Sequence, residues 1–421
     1  MERKWLHSRS LQHGNSAFAV FLYAACISIL FLLLAPKEYN FIAGDYYLQL
    51  NNIIHGHALR AADGKILDRY PPVIPYLFSI FFTLSEIFHS TPQLFYIIYS
   101  VIAISVTTVF VYKTATLFLS QSVSIIASIL FASCPFIQFG IVRVASEPTY
   151  IMLLYAAIYL LIRAYIKRHH RFSIFMAIGI LSGLAMLTRP AGIFFPFLFF
   201  LFILIAFSLP LAKRQLFACV LLLSSLLIIT PWEFAISRQE GYLVPLSTGG
   251  PISIWDGLRF NNCTHRSPLN LSPQAQRLSD TIATHLNDFN SNTTPFLKQQ
   301  FRQAPMTFVR LIGLKSLRAW YGVESQNKRQ ELFNLILISI YLILAILGTF
   351  SYFKNADRQK VYIAIFFLVI ILYSWAMTTI VLSILRYMSP VLGLILIFSA
   401  QGLHTLYKRY DSKLQSPPHK V

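Results

Sequence analysis

The stretch "PPVIPYLFSIFFTLSEIFH", residues 71–89, decides how the chain is counted. It is apolar enough for a membrane helix, yet it opens on prolines and carries Glu86 and His89 near its end. Ten further apolar runs surround it, at roughly 17–36, 94–112, 119–138, 148–166, 173–188, 191–210, 215–232, 332–353, 361–384 and 389–407. Most come close to the ~20 residues that span a bilayer core of ~30 Å. If 71–89 also crosses, eleven spans put the two basic chain ends on opposite sides. If it lies in the interface, ten spans put them on the same side.

The basic links choose between the two. "IKRHHR" (166–171), "LAKRQ" (211–215), "KNADRQK" (354–360), "YKRYDSK" (407–413) and the N-terminal Arg3, Lys4 and Arg9 all belong on the cytoplasmic side by the positive-inside rule. Only ten spans place them all there. A proline-led, partly polar helix then lies along the outer face. The expected fold is an all-α polytopic membrane protein with about ten transmembrane helices and an outer juxtamembrane helix. Three parts follow: 1–232, the outer loop 233–331, and 332–421, with both termini cytoplasmic.

Composition agrees. Of 421 residues, 56% are apolar and only 12% charged, too little polar surface to clothe a soluble globule. The net charge of +19 is accounted for by the cytoplasmic links and the outer loop, where it meets membrane lipids or phosphate. No nucleic-acid-binding motif accompanies it. Cys26, Cys134 and Cys219 lie within apolar runs and Cys263 stands alone, so no disulfide framework is expected.

Charges at a membrane face are informative because burying them is costly unless they are paired or hydrated. This topology gathers Asp45, Asp63, Asp68, Arg69, Arg143, Glu147, Arg189 and Arg386 at the outer face. Acids and arginines arriving from separate helices suit an anionic ligand, since the guanidinium fork donates in parallel pairs to phosphate. Each residue also has a plainer reading. Asp45 and Glu147 could cap the helices they precede, and Arg189 and Arg386 could snorkel from span ends. Lys315 and Arg318 read as loop solvation. His55, His57 and His89 lack a helical ligand spacing, so no metal ligand is assigned.

Seven segments in order carry a resemblance: "GDYYLQLNNIIHGHAL" (44–59), "RYPPVIPYLF" (69–78), "RVASEPTY" (143–150), "GLAMLTRPAGIFFP" (183–196), "TPWEFAISRQEGYLVPLSTGGPISIWDG" (230–257), "APMTFVRLIGLKSLRAWY" (304–321) and "LRYMSPVLG" (385–393). Together they resemble the GT-C membrane glycosyltransferases. The nearest group is glycosyltransferase family 39, which includes protein O-mannosyltransferases and the lipid A aminoarabinose transferase. The first acidic position differs, being a lone Asp45 where the mannosyltransferases have an Asp-Glu pair.

The resemblance implies a polyprenyl-phosphate-sugar donor, an envelope lipid, glycan or protein acceptor, and a bacterial inner (plasma) membrane. Asp45 would be the base that deprotonates the acceptor, and Glu147 the second acid. Arg69, Arg143, Arg189 and Arg386 would hold the donor phosphate. Attack from the face opposite the phosphate would invert the anomeric centre. Two carboxylates without a histidine set fit either a loosely held divalent cation or none. The competing readings are a lipid-linked-glycan flippase or transporter, and a glycan polymerase or ligase using pyrophosphate-linked donors. A transporter would place charges at mid-bilayer, with repeat symmetry.

Overall fold

A computed structural model describes residues 2–35, 44–61, 63–142, 146–250, 253–254, 257, 273–286, 293–323, 327–354 and 356–415. Among them the chain is helical, with no strand beyond an isolated bridge between Arg60 and Ile66. The helices are α1 (Glu2–Leu34), α2 (Gly44–Ile54), α3 (Val73–Ile87), α4 (Pro92–Thr116), α5 (Gln121–Ala132), α6 (Pro135–Val142), α7 (Glu147–Lys167), α8 (Phe172–Met186), α9 (Phe195–Ala206) and α10 (Leu211–Glu240). Three loop helices follow, α11 (Pro273–Leu286), α12 (Thr293–Gln303) and α13 (Pro305–Arg318), and then α14 (Lys328–Lys354), α15 (Arg358–Ile380) and α16 (Ser389–Gln415).

Local chemistry sets many of these boundaries. Pro92 and Pro148 sit in the first turns of α4 and α7, where the missing N–H costs nothing. Asp357 caps α15, its Oδ1 accepting from the Lys360 N–H at 2.8 Å. Arg168 (φ 52°) and Gly241 (φ 75°) end α7 and α10 in the left-handed region.

Seven of the described helices are long and apolar enough to cross a membrane: α1 from Asn15, α4, α7, α10, α14, α15 and α16. The run expected at 119–138 is a broken span, α5 and α6 meeting at 52°. Pro135 cannot continue the ladder, and the buried Gln138 amide donates to the Ala132 carbonyl at 2.5 Å across the break. α8 is only 15 residues long, about 22 Å at 1.5 Å per residue. It and α9 nevertheless run from one end of the bundle to the other, so that ten helical segments, with the broken α5–α6 taken as one, alternate in direction between its two ends.

Contacts identify the two ends. At one, Gln359 Nε2 donates to the Tyr165 carbonyl (3.2 Å), His170 lies against Phe207 and Phe217 (5.6 and 6.4 Å), and Tyr352 donates to the Lys360 carbonyl (3.1 Å). Gln121 donates to Ser16 there (3.3 Å), and Thr405 shares that level with Ser351 (2.9 Å). The basic links and the terminal portions of α1 and α16 therefore share an end. α3 begins and finishes at the opposite one: its Val73 N–H bonds the Leu187 carbonyl, and Phe88 at its close lies 5.9 Å from Phe95. It does not cross.

Helix pairs approach through glycine. A Cβ on Gly348 would stand 1.9 Å from the Phe398 carbonyl oxygen, and one on Gly402 2.0 Å from that of Leu344, so α14 and α16 meet backbone to backbone. Gly179 meets the Leu221 carbonyl of α10 in the same way, at 2.2 Å. In the loop, α11 to α13 close over a small core of Leu278, Ile282 and Leu311, and α13 leans on α15, where Trp375 donates to the Ser316 carbonyl at 2.8 Å.

In a background lacking the native cysteines, Asp63→Cys and His169→Cys are expected to react with a membrane-impermeant maleimide from opposite sides of the membrane. Reaction of both from one side would overturn the ten-pass trace.

Candidate active site

The ten-pass trace brings three helix ends together. Glu147 opens α7, Arg189 sits in the turn between α8 and a 3-10 turn at Pro190–Gly192, and Arg386 lies in the 3-10 turn Leu385–Met388 before α16. Arg386 Nε and Nη2 donate to the two Glu147 oxygens at 2.5 and 3.1 Å. Arg189 Nη1 stands 2.9 Å from Oε1, and its guanidinium lies 4.4 Å from the centre of the Tyr387 ring. The Glu147 side chain is 3% exposed. A carboxylate so buried needs such partners, and the N-terminus of α7 adds a favourable dipole.

Arg189 Nη1 is buried without an aligned hydrogen-bond acceptor, its contact with Glu147 being one of charge alone. Beside the cluster opens an apolar cavity of about 160 Å³ between α6, α7 and α14, walled by Phe136, Phe139, Ile151 and Phe333, with Glu147 and Arg386 on its surface. A charged end on an apolar slot suits an amphipathic anion.

α2 reaches this cluster through Tyr46. Its ring packs 4.7 Å from Tyr70 and 6.0 Å from Phe78, and its hydroxyl shares a hydrogen bond with Ser146. Burial, with Glu147 adding to it, pushes the Tyr46 phenol up to about 12, so it stays a neutral donor. Asp45 is the second residue of α2, one position before Tyr46, and its side chain lies outside the described residues, as does Arg143. Arg69 stands apart, exposed, with its guanidinium 5.7 Å from the Tyr70 ring. Of the six residues expected to act, the structure thus joins Glu147, Arg189 and Arg386.

Lys315 and Arg318 do not solvate a loop, as their sequence context suggested. Each is 2% exposed. Lys315 Nζ donates to the Val381 carbonyl at 2.9 Å, and Arg318 to those of Ser383 (3.4 Å) and Val323 (3.2 Å) and to Glu331 Oε1 (2.8 Å). Two cations from the end of α13 therefore satisfy carbonyls left over where α15 stops. The Leu385 N–H is held by the Gly322 carbonyl (3.0 Å), so this clamp fixes the segment that delivers Arg386. The signal was the i, i+3 spacing of "KSLR" on one helix face.

Among the described residues no three His, Cys, Asp or Glu side chains converge. Both Glu147 oxygens face guanidiniums, so this carboxylate is not free to ligate a divalent cation.

Glu147→Gln is expected to lower stability by about 3–5 kcal/mol, because it strands two cations in a poorly solvated place. A thermal midpoint in detergent equal to the parent's would contradict that burial. Lys315 gives a pH test. Burial first, and Arg318 second, bring its ammonium down to about 7 from 10.5. Between those values the unfolded chain binds more protons, so stability rises with pH across that window. Lys315→Met should flatten this rise, read as the thermal midpoint from pH 7 to 10.

Residues 69–233 match the family model described as dolichyl-phosphate-mannose-protein mannosyltransferase, a region that contains Glu147 and Arg189. A comparison with curated protein sequences finds no match. Among solved structures, the oligosaccharyltransferase AglB from Archaeoglobus fulgidus, in complex with an inhibitory peptide and a dolichol-phosphate, is similar with a TM-score of 0.55 at 16% identity, over 96% of this chain and 52% of that one. The Archaeoglobus fulgidus oligosaccharyltransferase tethered to an acceptor peptide with the NVT sequon gives 0.57 at 16%, over 93% and 50%. Its complex with zinc and sulfate gives 0.53 at 16%, over 93% and 49%. The chain spans about half the length of these structures, and at such identity the likeness is one of fold. The chain thus shares the fold of these oligosaccharyltransferase structures, and its residues 69–233 carry the signature described as dolichyl-phosphate-mannose-protein mannosyltransferase.

Proposed function

We propose that this chain transfers a sugar from a polyprenyl-phosphate carrier to a hydroxyl of an envelope lipid, glycan or protein. We assign the reaction to the outer face of a bacterial inner membrane, at the bundle end that carries Glu147. The observation that carries the reading is the Arg189–Glu147–Arg386 cluster beside an apolar cavity. A lipid phosphate has the same division, an anionic head on a hydrocarbon tail. The family description, and the dolichol-phosphate and acceptor peptide bound by the similar structures, support the same chemistry.

In this reading Asp45 takes the proton of the acceptor hydroxyl, whose oxygen attacks the anomeric carbon as the bond to phosphate breaks. The electron pair leaves with the polyprenyl phosphate, and its growing charge is met by Arg189 and Arg386. Glu147 fixes both guanidiniums beforehand, so little reorganisation accompanies the step. Tyr46, bonded to Ser146, ties the helix that bears Asp45 to the helix that bears Glu147. Back-side attack gives inversion. No step is routed through a metal ion.

Asp45→Asn is expected to lower transfer at least about 100-fold while membrane insertion and thermal midpoint stay unchanged. Transfer retained in that variant would reduce Asp45 to a helix cap. Mass spectrometry of a deletion strain should show one polyprenyl-phosphate sugar accumulating and that sugar missing from one envelope polymer. Accumulation of a carrier-linked oligosaccharide instead would point to a glycan ligase.

A further inference from the structure

A second cavity lies at the same end of the bundle, between α2, the strap 61–70 and the last turn of α10. At about 430 Å³ it falls within the roughly 300–1,000 Å³ of small-molecule pockets. Its wall is polar, with Gln49, Asp63, Lys65, Asp68, Tyr70 and Glu240 among the residues that line it.

Three separate segments lock this wall in place. From α2, Gln49 Nε2 donates to the carbonyls of Leu67 (2.7 Å) and Tyr70 (3.2 Å). From α10, the Gln239 amide accepts from the Ile66 N–H and donates to the Ile66 carbonyl (3.1 Å). Beyond α10, Thr248 donates its N–H to the Asp68 carbonyl (3.1 Å) and its hydroxyl to Asp68 Oδ1 (2.8 Å). That strand of loop is itself pinned by Trp232, whose indole donates to the Leu246 carbonyl at 2.7 Å.

With the frame so satisfied, two acceptors are left over. Gln49 Oε1, on a side chain 2% exposed, and Asp68 Oδ2 are both buried without a hydrogen-bond partner. Buried acceptors are rarely left so, because each one stranded forfeits its hydration. Both residues line one cavity, and a small rotation of each side chain would turn the two acceptors to its surface, where a single ligand bearing donors could satisfy them together. An anion is disfavoured, since three carboxylates, Asp63, Asp68 and Glu240, line the site against two cations, Lys65 and Arg69. A divalent ion lacks a converging set of ligands among the described residues. A neutral polyol meets every requirement: its hydroxyls donate to a carboxylate and an amide, and its C–H face can lie on Tyr70.

We propose that this cavity binds a neutral, hydroxyl-rich ligand of sugar size and serves as the acceptor subsite of the transfer reaction, with Asp68 Oδ2 and Gln49 Oε1 accepting the ligand's hydroxyls. The assignment as acceptor subsite rests on the glycosyltransfer reading above. Its position fits, for Tyr70 on the cavity wall stacks 4.7 Å from Tyr46, which bonds Ser146 beside Glu147. The two sites are complementary in charge: arginines for the departing phosphate, acceptors for the incoming hydroxyl compound.

The test is saturation-transfer NMR on the full chain in lipid nanodiscs, with methyl α-mannoside, methyl β-glucoside and methyl β-galactoside as probes. At least one glycoside should bind, and Asp68→Asn should weaken it at least about tenfold. Ala61→Trp, which puts a large ring at another position of the lining, should abolish binding by filling the cavity. Binding by none of the probes, or binding that survives both cavity variants, would overturn the proposal. Because binding is read without turnover, an enzyme that transfers sugar but binds no glycoside here would sink the subsite alone. Glycoside binding in a chain with no transferase activity would sink the acceptor role while leaving the cavity a polyol site.

Discussion

A carboxylate that is 3% exposed at the end of a membrane bundle must be held by cations, and Glu147 is held by two that come from different parts of the chain. Arg189 arrives in the turn between α8 and α9, and Arg386 only after α10, the loop and two further helices. For all three to meet, every pass between them must finish at the correct end. The even number of passes, the refusal of α3 to cross and the break between α5 and α6 are all parts of that requirement. A buried ion pair adds little net stability compared with apolar packing. Its worth is geometric, since it fixes two guanidiniums in advance.

The supports of this cluster are themselves helix ends. α13 lies across the C-terminal end of α15 and supplies Lys315 and Arg318 to carbonyls that would otherwise be stranded. The segment from Val381 to Leu385 is thereby fixed, and Arg386 with it. On the other side, Tyr46 bonds the start of α7, and Tyr70 stacks on Tyr46. The outer loop therefore contributes to the site by holding backbone, and the first loop by carrying side chains. The cationic cluster and the polar cavity stand on the two sides of this Tyr46–Tyr70 pair.

The order of motifs made Glu147, Arg189 and Arg386 legible, because each sits beside a proline or turn that the sequence displays openly: "SEP", "TRP" and "RYMSP". What could not be read was which arginine meets which acid. Arg69 and Arg386 look alike in sequence, yet one lies exposed over Tyr70 and the other grips Glu147. Lys315 and Arg318 were misread for the same reason. A cation on an amphipathic loop helix is usually solvated, and only the docking of α13 against α15 buries it. Gln49 offered no signal either, since its role depends on carbonyls 18 and 21 residues away.

Hydropathy, the basic links and the prolines by themselves determined that this is an all-helical membrane protein and that the proline-led helix α3 keeps to one end of the bundle. Those properties follow from the cost of placing polar backbone and charge in hydrocarbon, a cost paid residue by residue and so written locally. The pairing of charges, the clamp on the approach to Arg386 and the two cavities were decided only in the tertiary structure. They depend on distances between segments as far as 239 residues apart, and the membrane fixes the level of a residue in the bilayer but not its neighbour across the bundle.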